Sequence, residues 1–191
     1  MRLFIASSFE PQFTKTLEEI IAYARANAGR DTVKWVERAN FHLTYAFLGE
    51  VPESGVAAAI KSVDAALEGR KSFTLVSGAF GAFPSSRNPR VLWLGFNEGV
   101  PELCEMAEKL AQALSERGLA FENRFEPHIT LGRVKKALHE NFFRRASDYA
   151  ITKKAVSALV SVEVTESVLT PAGPLYRQVY GKQLRACNGI I

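Results

Sequence analysis

The chain has 191 residues, of which 47% are hydrophobic and 23% charged, and its formal net charge is +4 at pH 7. These are the proportions of a globular protein with a sizeable core, and they exclude a disordered or low-complexity chain. Its two cysteines, Cys104 and Cys187, are too few for a disulfide framework or a four-cysteine zinc site. No run of about 18 apolar residues occurs, so we expect a cytoplasmic protein with no membrane span.

Strands and helices are interleaved along the sequence. Strands are predicted by runs of β-branched and aromatic residues, and helices by apolar residues three and four positions apart. The predicted elements are, in chain order, strand Arg2–Ser7, helix 11–28, strands Thr32–Val36 and Phe41–Leu48, helix 53–69, strands Phe73–Val76 and Val91–Phe96, helix 101–117, strand His128–Val134, a weaker helix Asn141–Ile151, and strands Ser161–Leu169 and Leu175–Tyr180. Proline at or beside the first three helix starts and glycine after their ends favour these boundaries.

Several of the predicted strands follow one another with no helix between them. That order favours antiparallel or mixed sheets with helices on one face, so the predicted fold class is α+β. The glycine-rich string Gly78–Pro84 is interpreted as a loop or turn rather than a phosphate cradle. Neither GxxxxGK[ST] nor a GxGxxG after a strand is present, and no nucleotide cofactor is expected.

Two of the three histidines, His42 and His128, stand two residues before a threonine. Threonine makes up nine of the 191 residues, so chance would produce this coincidence in under about 1% of such chains. The histidines are 86 residues apart (128 − 42), near half the chain length. This echo predicts a single domain over residues 1–191 with two pseudo-equivalent lobes, each contributing one His-x-Thr strand to a shared cleft.

Strand geometry determines where these side chains point. Residues i and i+2 of a strand share a face, so His42 projects with Thr44 and His128 with Thr130. Two imidazoles in opposite protonation states suit displacement at phosphorus, because one can take a proton while the other gives one. The threonine hydroxyls can donate to non-bridging phosphate oxygens, and the guanidinium group of Arg133 can donate two hydrogen bonds to the same oxygens. This scheme needs no metal, and zinc would lack a third ligand.

Other candidate groups have weaker contexts. His139 is expected to be a surface residue before a helix and receives no role. Neither Cys104 nor Cys187 has the surroundings of a catalytic thiol. Between Ala120 and Lys154, eight Lys and Arg residues stand against four Asp and Glu, a surplus equal to that of the whole chain. Such a stretch favours phosphate or nucleic-acid partners, although a solvated basic surface gives the same pattern.

The chain resembles the two-histidine (2H) phosphoesterases, and within them the bacterial and archaeal RNA 2′,3′-cyclic phosphodiesterases, also called 2′-5′ RNA ligases. The paired His-x-Thr motifs carry the superfamily resemblance, and flanking strings point to the subfamily. These strings are Met1–Ala6, Lys34–Val36, Phe41–Thr44 with Phe47–Glu50, Phe83–Pro84, Pro89–Trp93, Pro127–Arg133, Ser167–Leu169 and Gly173–Tyr176.

The resemblance implies a bilobal fold whose two motifs face each other across a central groove, with helices outside. It also implies hydrolysis of a 2′,3′-cyclic phosphate at an RNA end to a 2′-phosphomonoester. In that reaction His42 would be the proton donor and His128 the proton acceptor, with Thr44 and Thr130 holding phosphate oxygens. The same acid–base pair, with a ribose hydroxyl in place of water, would give ATP-independent 2′-5′ joining.

Two departures from the family pattern flank the first motif. Phe41 stands before the histidine where leucine is more usual, which is conservative. Tyr45 replaces a leucine after the threonine, and it is expected to alter substrate contacts near the groove.

The residues leave other activities open. One is another 2H reaction, on a cyclic nucleotide, a 2′-5′ linkage or an ADP-ribose cyclic phosphate, and another is a non-catalytic RNA-binding module. The acid and base roles of the two histidines can also be exchanged without changing any sequence feature. No oligomer signal is present, and a monomer is expected.

Overall fold

The computed structural model describes residues 1–122, 124–171 and 173–186. Four α-helices and nine strands lie within these ranges. In chain order the elements are β1 (Arg2–Ser7), α1 (Pro11–Ala28), β2 (Val33–Trp35), a 3₁₀ turn (Arg38–Asn40), β3 (Leu43–Glu50), α2 (Glu53–Ala66), β4 (Phe73–Ser85), β5 (Asn88–Glu98), α3 (Val100–Glu116), β6 (Ile129–Val134), α4 (Phe142–Thr152), β7 (Val156–Leu159), β8 (Ser161–Thr170) and β9 (Gly173–Gln183). None of the described helices has the length and apolar character needed to cross a membrane.

The nine strands form one sheet in the order β7-β4-β5-β6-β3-β1-β8-β9, with β2 paired to β6 at the side of this path. Every strand pair is antiparallel. The pair β3 and β6 lies at the centre of this order, with β5, β4 and β7 on one side and β1, β8 and β9 on the other. The α+β prediction is confirmed.

The helices form where the apolar spacing predicts them. In α1, Phe13, Leu17 and Ile20 lie on one buried stripe, Pro11 occupies the first turn, where no amide donor is needed, and the helix ends before Gly29. Predicted and observed bounds of α1 coincide, and those of the other helices differ by at most three residues.

Two hydrophobic cores lie under the helices. One packs α2 and α3 against β1, β3 and β8, and the other packs α1 and α4 against β4, β5 and β6. Leu43 of β3 belongs to the first core and Ile129 of β6 to the second, and both are fully buried. The helices thus cover one face of the sheet near its centre and leave the other face to the groove.

Two strand predictions need correction. The string Gly78–Pro84 is not a loop but the middle of β4, and β7 was not predicted at all. The glycines of β4 allow neighbouring side chains to pack closely against the backbone. A Cβ on Gly81 would lie 2.3 Å from Trp93 Cζ2. Glycine in this strand therefore marks close approach of a ring, which sequence alone does not distinguish from a turn.

The sheet curls strongly around its uncovered face. In the strand order, β9 is three strands from β3, which is about 14 Å in a flat sheet. Yet the rings of Tyr176 on β9 and His42 beside β3 have centroids 5.2 Å apart. The Asn40 side-chain amide also donates to the Pro174 carbonyl oxygen at 3.4 Å. The curled sheet therefore encloses a groove on the face opposite the helices.

Candidate active site

The two motifs meet where β3 pairs with β6. Leu43 and Ile129 are partners in this antiparallel ladder. Neighbours on either side of such a pair also lie opposite each other, so His42 lies beside Thr130, and Thr44 lies beside His128. Leu43 and Ile129 point into the cores, so the two motifs project to the groove.

Both histidines have the same local geometry. Each stands one residue before its strand, whereas the predicted strands Phe41–Leu48 and His128–Val134 included both histidines. The Nδ1 atom of His42 lies 2.7 Å from the Asn40 carbonyl oxygen, and the Nδ1 atom of His128 lies 2.7 Å from the Glu126 carbonyl oxygen. A carbonyl only accepts, so Nδ1 carries the proton in both rings. Each Nε2 is then left to accept a proton when neutral and to donate one when charged.

Aromatic rings support both histidines. His42 packs against Phe4 at a centroid distance of 5.1 Å and meets Tyr176 edge-on at 5.2 Å. His128 meets Phe83 edge-on at 5.0 Å. Sequence reasoning assigned these aromatic residues no part in the site, because aromatic residues on strands are usually core residues. Their positions follow only from the curl of the sheet.

The surroundings of His42 change its acidity. Burial lowers the pKa of His42 below the ordinary value of 6.5, the hydrogen bond to the Asn40 carbonyl raises it, and the charge of His128 lowers it further. The shift that remains is downward, because a desolvated imidazolium is less stable than one in water.

The threonine hydroxyls are free to meet a ligand. Within the described ranges, neither Thr44 nor Thr130 makes a hydrogen bond through its side chain. Both residues are partly exposed. A hydroxyl that has no protein partner in a groove can donate to an incoming anion.

A β-bulge turns Arg133 toward the groove. Trp93 of β5 pairs with Thr130, while the preceding Leu92 pairs with Gly132, so β6 has one extra residue between them. A bulge shifts the alternation of side chains by one position, and Arg133 then shares a face with Thr130. The charges of Arg133 and Arg2 both lower the pKa of Tyr176, although burial raises it overall. Both guanidinium groups therefore act at the Tyr176 end of the groove.

The other sequence candidates lie away from this constellation. His139 is exposed before α4, and its carbonyl oxygen accepts from the Phe142 amide. Cys104 lies on α3 and is partly exposed. Cys187 lies outside the described residues. Among the described residues, no three His, Cys, Asp or Glu side chains are grouped as a metal site would require.

Tyr45, which was expected to alter substrate contacts near the groove, lies away from the groove. This residue is buried in the first core, where its ring stacks on Phe125 with centroids 5.6 Å apart. Its hydroxyl is hydrogen-bonded to Ser7 Oγ at 3.0 Å. Tyr45 is the extra residue of a bulge in β3, between Thr44 and Ala46, and it points away from the groove.

The curled antiparallel sheet and its paired His-x-Thr motifs define a two-histidine phosphoesterase. A family model described as LigT-like phosphoesterase matches residues 8–93 and again residues 94–176, and the chain belongs to this family. His42 lies 34 residues beyond the start of the first match (42 − 8), and His128 lies 34 residues beyond the start of the second (128 − 94). The two motifs thus occupy the same position in the two halves.

Named relatives and solved structures resemble the chain over nearly its whole length. An RNA 2′,3′-cyclic phosphodiesterase of Thermotoga maritima is 35% identical over 94% of this chain and 94% of its own. One of Archaeoglobus fulgidus is 30% identical over 94% and 98%. A crystal structure of a Thermus thermophilus protein has the same fold, with a TM-score of 0.79, 24% identity and coverage of 97% and 99%. The E. coli LigT complex with 3′-AMP gives a TM-score of 0.71 at 26% identity, over 96% and 97% of the two chains.

Proposed function

We propose that this protein hydrolyses 2′,3′-cyclic phosphate ends of RNA to 2′-phosphomonoesters, with His42 as proton donor and His128 as proton acceptor. The observation that carries the proposal is the pairing of Leu43 with Ile129, which sets two identical His-x-Thr motifs side by side. The relatives in Thermotoga maritima and Archaeoglobus fulgidus, both named for this reaction, support it.

The proposed reaction is a single displacement at phosphorus. His128 Nε2 takes a proton from water, the water oxygen bonds to phosphorus, and the bond from phosphorus to the 3′ oxygen breaks. His42 Nε2–H gives its proton to that 3′ oxygen. The step leaves His128 charged and His42 neutral, and proton exchange with solvent restores the starting pair.

The electrostatics of the groove suit this division of roles. A lowered pKa makes the His42 imidazolium a stronger acid toward the leaving oxygen. The negative charge of a bound cyclic phosphate favours the charged form of the ring beside it. In the proposal, Thr44 and Thr130 donate to the non-bridging oxygens, and Arg133 holds the charge that develops on them. None of these steps calls for a metal or an organic cofactor.

We also propose how the chain is organised around the groove. Residues 1–191 form one domain of two lobes, and each lobe supplies one motif to the groove. Each of the two cores contains one motif strand, and each of the two family matches covers one motif, which supports this division. Both motifs come from the same chain, so a monomer suffices for activity.

The same groups can act on a different nucleophile. If the 5′ hydroxyl of a second RNA replaces water, His128 takes its proton and the 3′ oxygen leaves as before. The product is a 2′-5′ linkage. No ATP is needed, because opening the strained ring of the cyclic phosphate supplies the free energy. Ligation and hydrolysis then share one site.

The test is the identity of the product formed from a short RNA with a 2′,3′-cyclic end. We expect ³¹P NMR to show a 2′-phosphomonoester, because the proposed step breaks the bond to the 3′ oxygen. A 3′-phosphomonoester would contradict the assignment of the leaving group.

A substrate panel distinguishes the alternatives. It contains a 3′,5′-cyclic nucleotide, a 2′-5′-linked dinucleotide and an ADP-ribose cyclic phosphate. Turnover of one of these with none of the cyclic RNA end would point to another 2H activity. Salt-dependent RNA binding that is indifferent to the cyclic end, with no turnover, would point to a binding module.

A further inference from the structure

We propose that Lys34, which lies beside Arg133, forms a subsite for a second phosphate, the phosphodiester that joins the terminal nucleotide to the rest of the RNA, while Arg133 holds the phosphate that reacts. The subsite would make the substrate an oligonucleotide end rather than a cyclic mononucleotide. This inference rests on the proposed function.

Lys34 lies on the groove face of the sheet. In the ladder between β2 and β6, Val33 pairs with Val134, and Lys34 pairs with Arg133. Val33 is buried in the second core, so its neighbour Lys34 must point to the opposite face. Partners in a ladder share a face, and Lys34 therefore projects beside Arg133.

This pair places two positive charges directly opposite each other. Like charges in that relation destabilise a sheet. In the described part of the chain, neither Lys34 nor Arg133 has an acidic partner within ion-pair distance. Some other arginines are paired, such as Arg38 with Glu18 at 2.6 Å and Arg177 with Glu166 at 2.7 Å, but these do not lie opposite a second cation in a ladder. Two opposed cations without a carboxylate are stabilised when anions bind beside them, and two phosphates of one RNA end would supply one anion to each.

The start of β9 lies at this end of the groove. The Lys34 Nζ atom lies 4.0 Å from where a Cβ of Gly173 would stand. Beside it, the Asn40 side chain donates to the Pro174 carbonyl oxygen, while the Asn40 carbonyl accepts from His42. The ammonium group therefore lies near the start of β9, whose Pro174 accepts from the residue that orients His42. A phosphate bound there belongs to the same RNA end as the phosphate that reacts.

Substrates that differ in one charge test the subsite. A dinucleotide ending in a 2′,3′-cyclic phosphate is compared with the same compound whose internucleotide phosphate is replaced by a neutral methylphosphonate. We expect wild-type kcat/KM to be roughly five- to ten-fold higher on the charged compound, as one charged hydrogen bond in a partly exposed site provides. Lys34→Ala should bring this ratio close to one, and Lys34→Arg should retain most of it.

Lys61→Ala is the matched control, because Lys61 is exposed on α2 and lies outside the groove. It should keep the wild-type ratio. A Lys34→Ala protein that keeps the full preference for the charged dinucleotide overturns the subsite. Hydrolysis of a cyclic mononucleotide and of an RNA with a cyclic end tests the reaction independently of the subsite. A wild-type protein that hydrolyses neither substrate would contradict the proposed function, and the subsite with it.

Discussion

At the scale of single residues, His42 and His128 share a tautomer but have different surroundings. Both donate through Nδ1 to a carbonyl two residues earlier. The rings of His42, Phe4 and Tyr176 contact one another, and the two aromatic rings cover part of the imidazole. Burial is the largest cause of its lowered pKa. Burial therefore favours the neutral form of His42 in the free protein.

Removing one of the covering rings should reverse this shift. In an NMR titration we expect the His42 midpoint to lie below 6.5 in the wild type and to move upward in Tyr176→Ala, because water then reaches the imidazolium. Tyr176→Phe keeps the ring and should keep the lowered midpoint. A wild-type midpoint at or above 6.5 would refute the assigned effect of burial.

At the scale of elements, apolar spacing was sufficient for the helices and for the position of the two motifs. It could not predict the bulges in β3 and β6, because a bulge depends on which residues the partner strand offers. Those bulges decide that Arg133 faces the groove and Tyr45 the core. Likewise, Tyr176 and Lys34 join the site through strand order and curl, which no local pattern encodes.

The close approach of β4 and β5 gives a test at this scale. Gly81→Ala places a Cβ 2.3 Å from the Trp93 ring, so the ring or the strand must move. We expect a loss of about 1–3 kcal/mol in the free energy of unfolding, as for other overpacked sites. Activity should fall as well, because Trp93 pairs with Thr130.

Gly95→Ala is the comparison for this change. A Cβ there would lie 3.3 Å from the same Trp93 ring, so a smaller loss is expected in denaturant unfolding. If Gly81→Ala were as stable as the wild type, the packing of the Trp93 ring would not require glycine at position 81.

At the scale of the whole molecule, two similar halves share one sheet. The family match repeats once per half of the sequence, and each core packs one helix from each matched segment, α2 with α3 in one core and α1 with α4 in the other. The ladder between β3 and β6 nevertheless continues the sheet from one half to the other through Leu43 and Ile129. The groove lies over this junction. A site formed by both motifs is therefore intact only while β3 and β6 stay paired.

A continuous sheet should unfold as one unit. Leu43→Ala and Ile129→Ala each remove a fully buried side chain from a different core. We expect each to cost about 2–5 kcal/mol and to lower a single calorimetric transition. Two separate transitions, with each variant lowering only one of them, would show that the halves fold independently.

The central claim, two-histidine catalysis without a metal, is tested most directly on a short RNA with a 2′,3′-cyclic phosphate end in the presence of EDTA. We expect the wild type to convert it to a 2′-phosphate end, and His42→Ala and His128→Ala to be slower by about 10²–10⁴-fold while remaining folded by circular dichroism. His139→Ala, which changes the exposed histidine outside the groove, should keep the wild-type rate. Equal cleavage by the wild type, His42→Ala and His128→Ala would contradict the account.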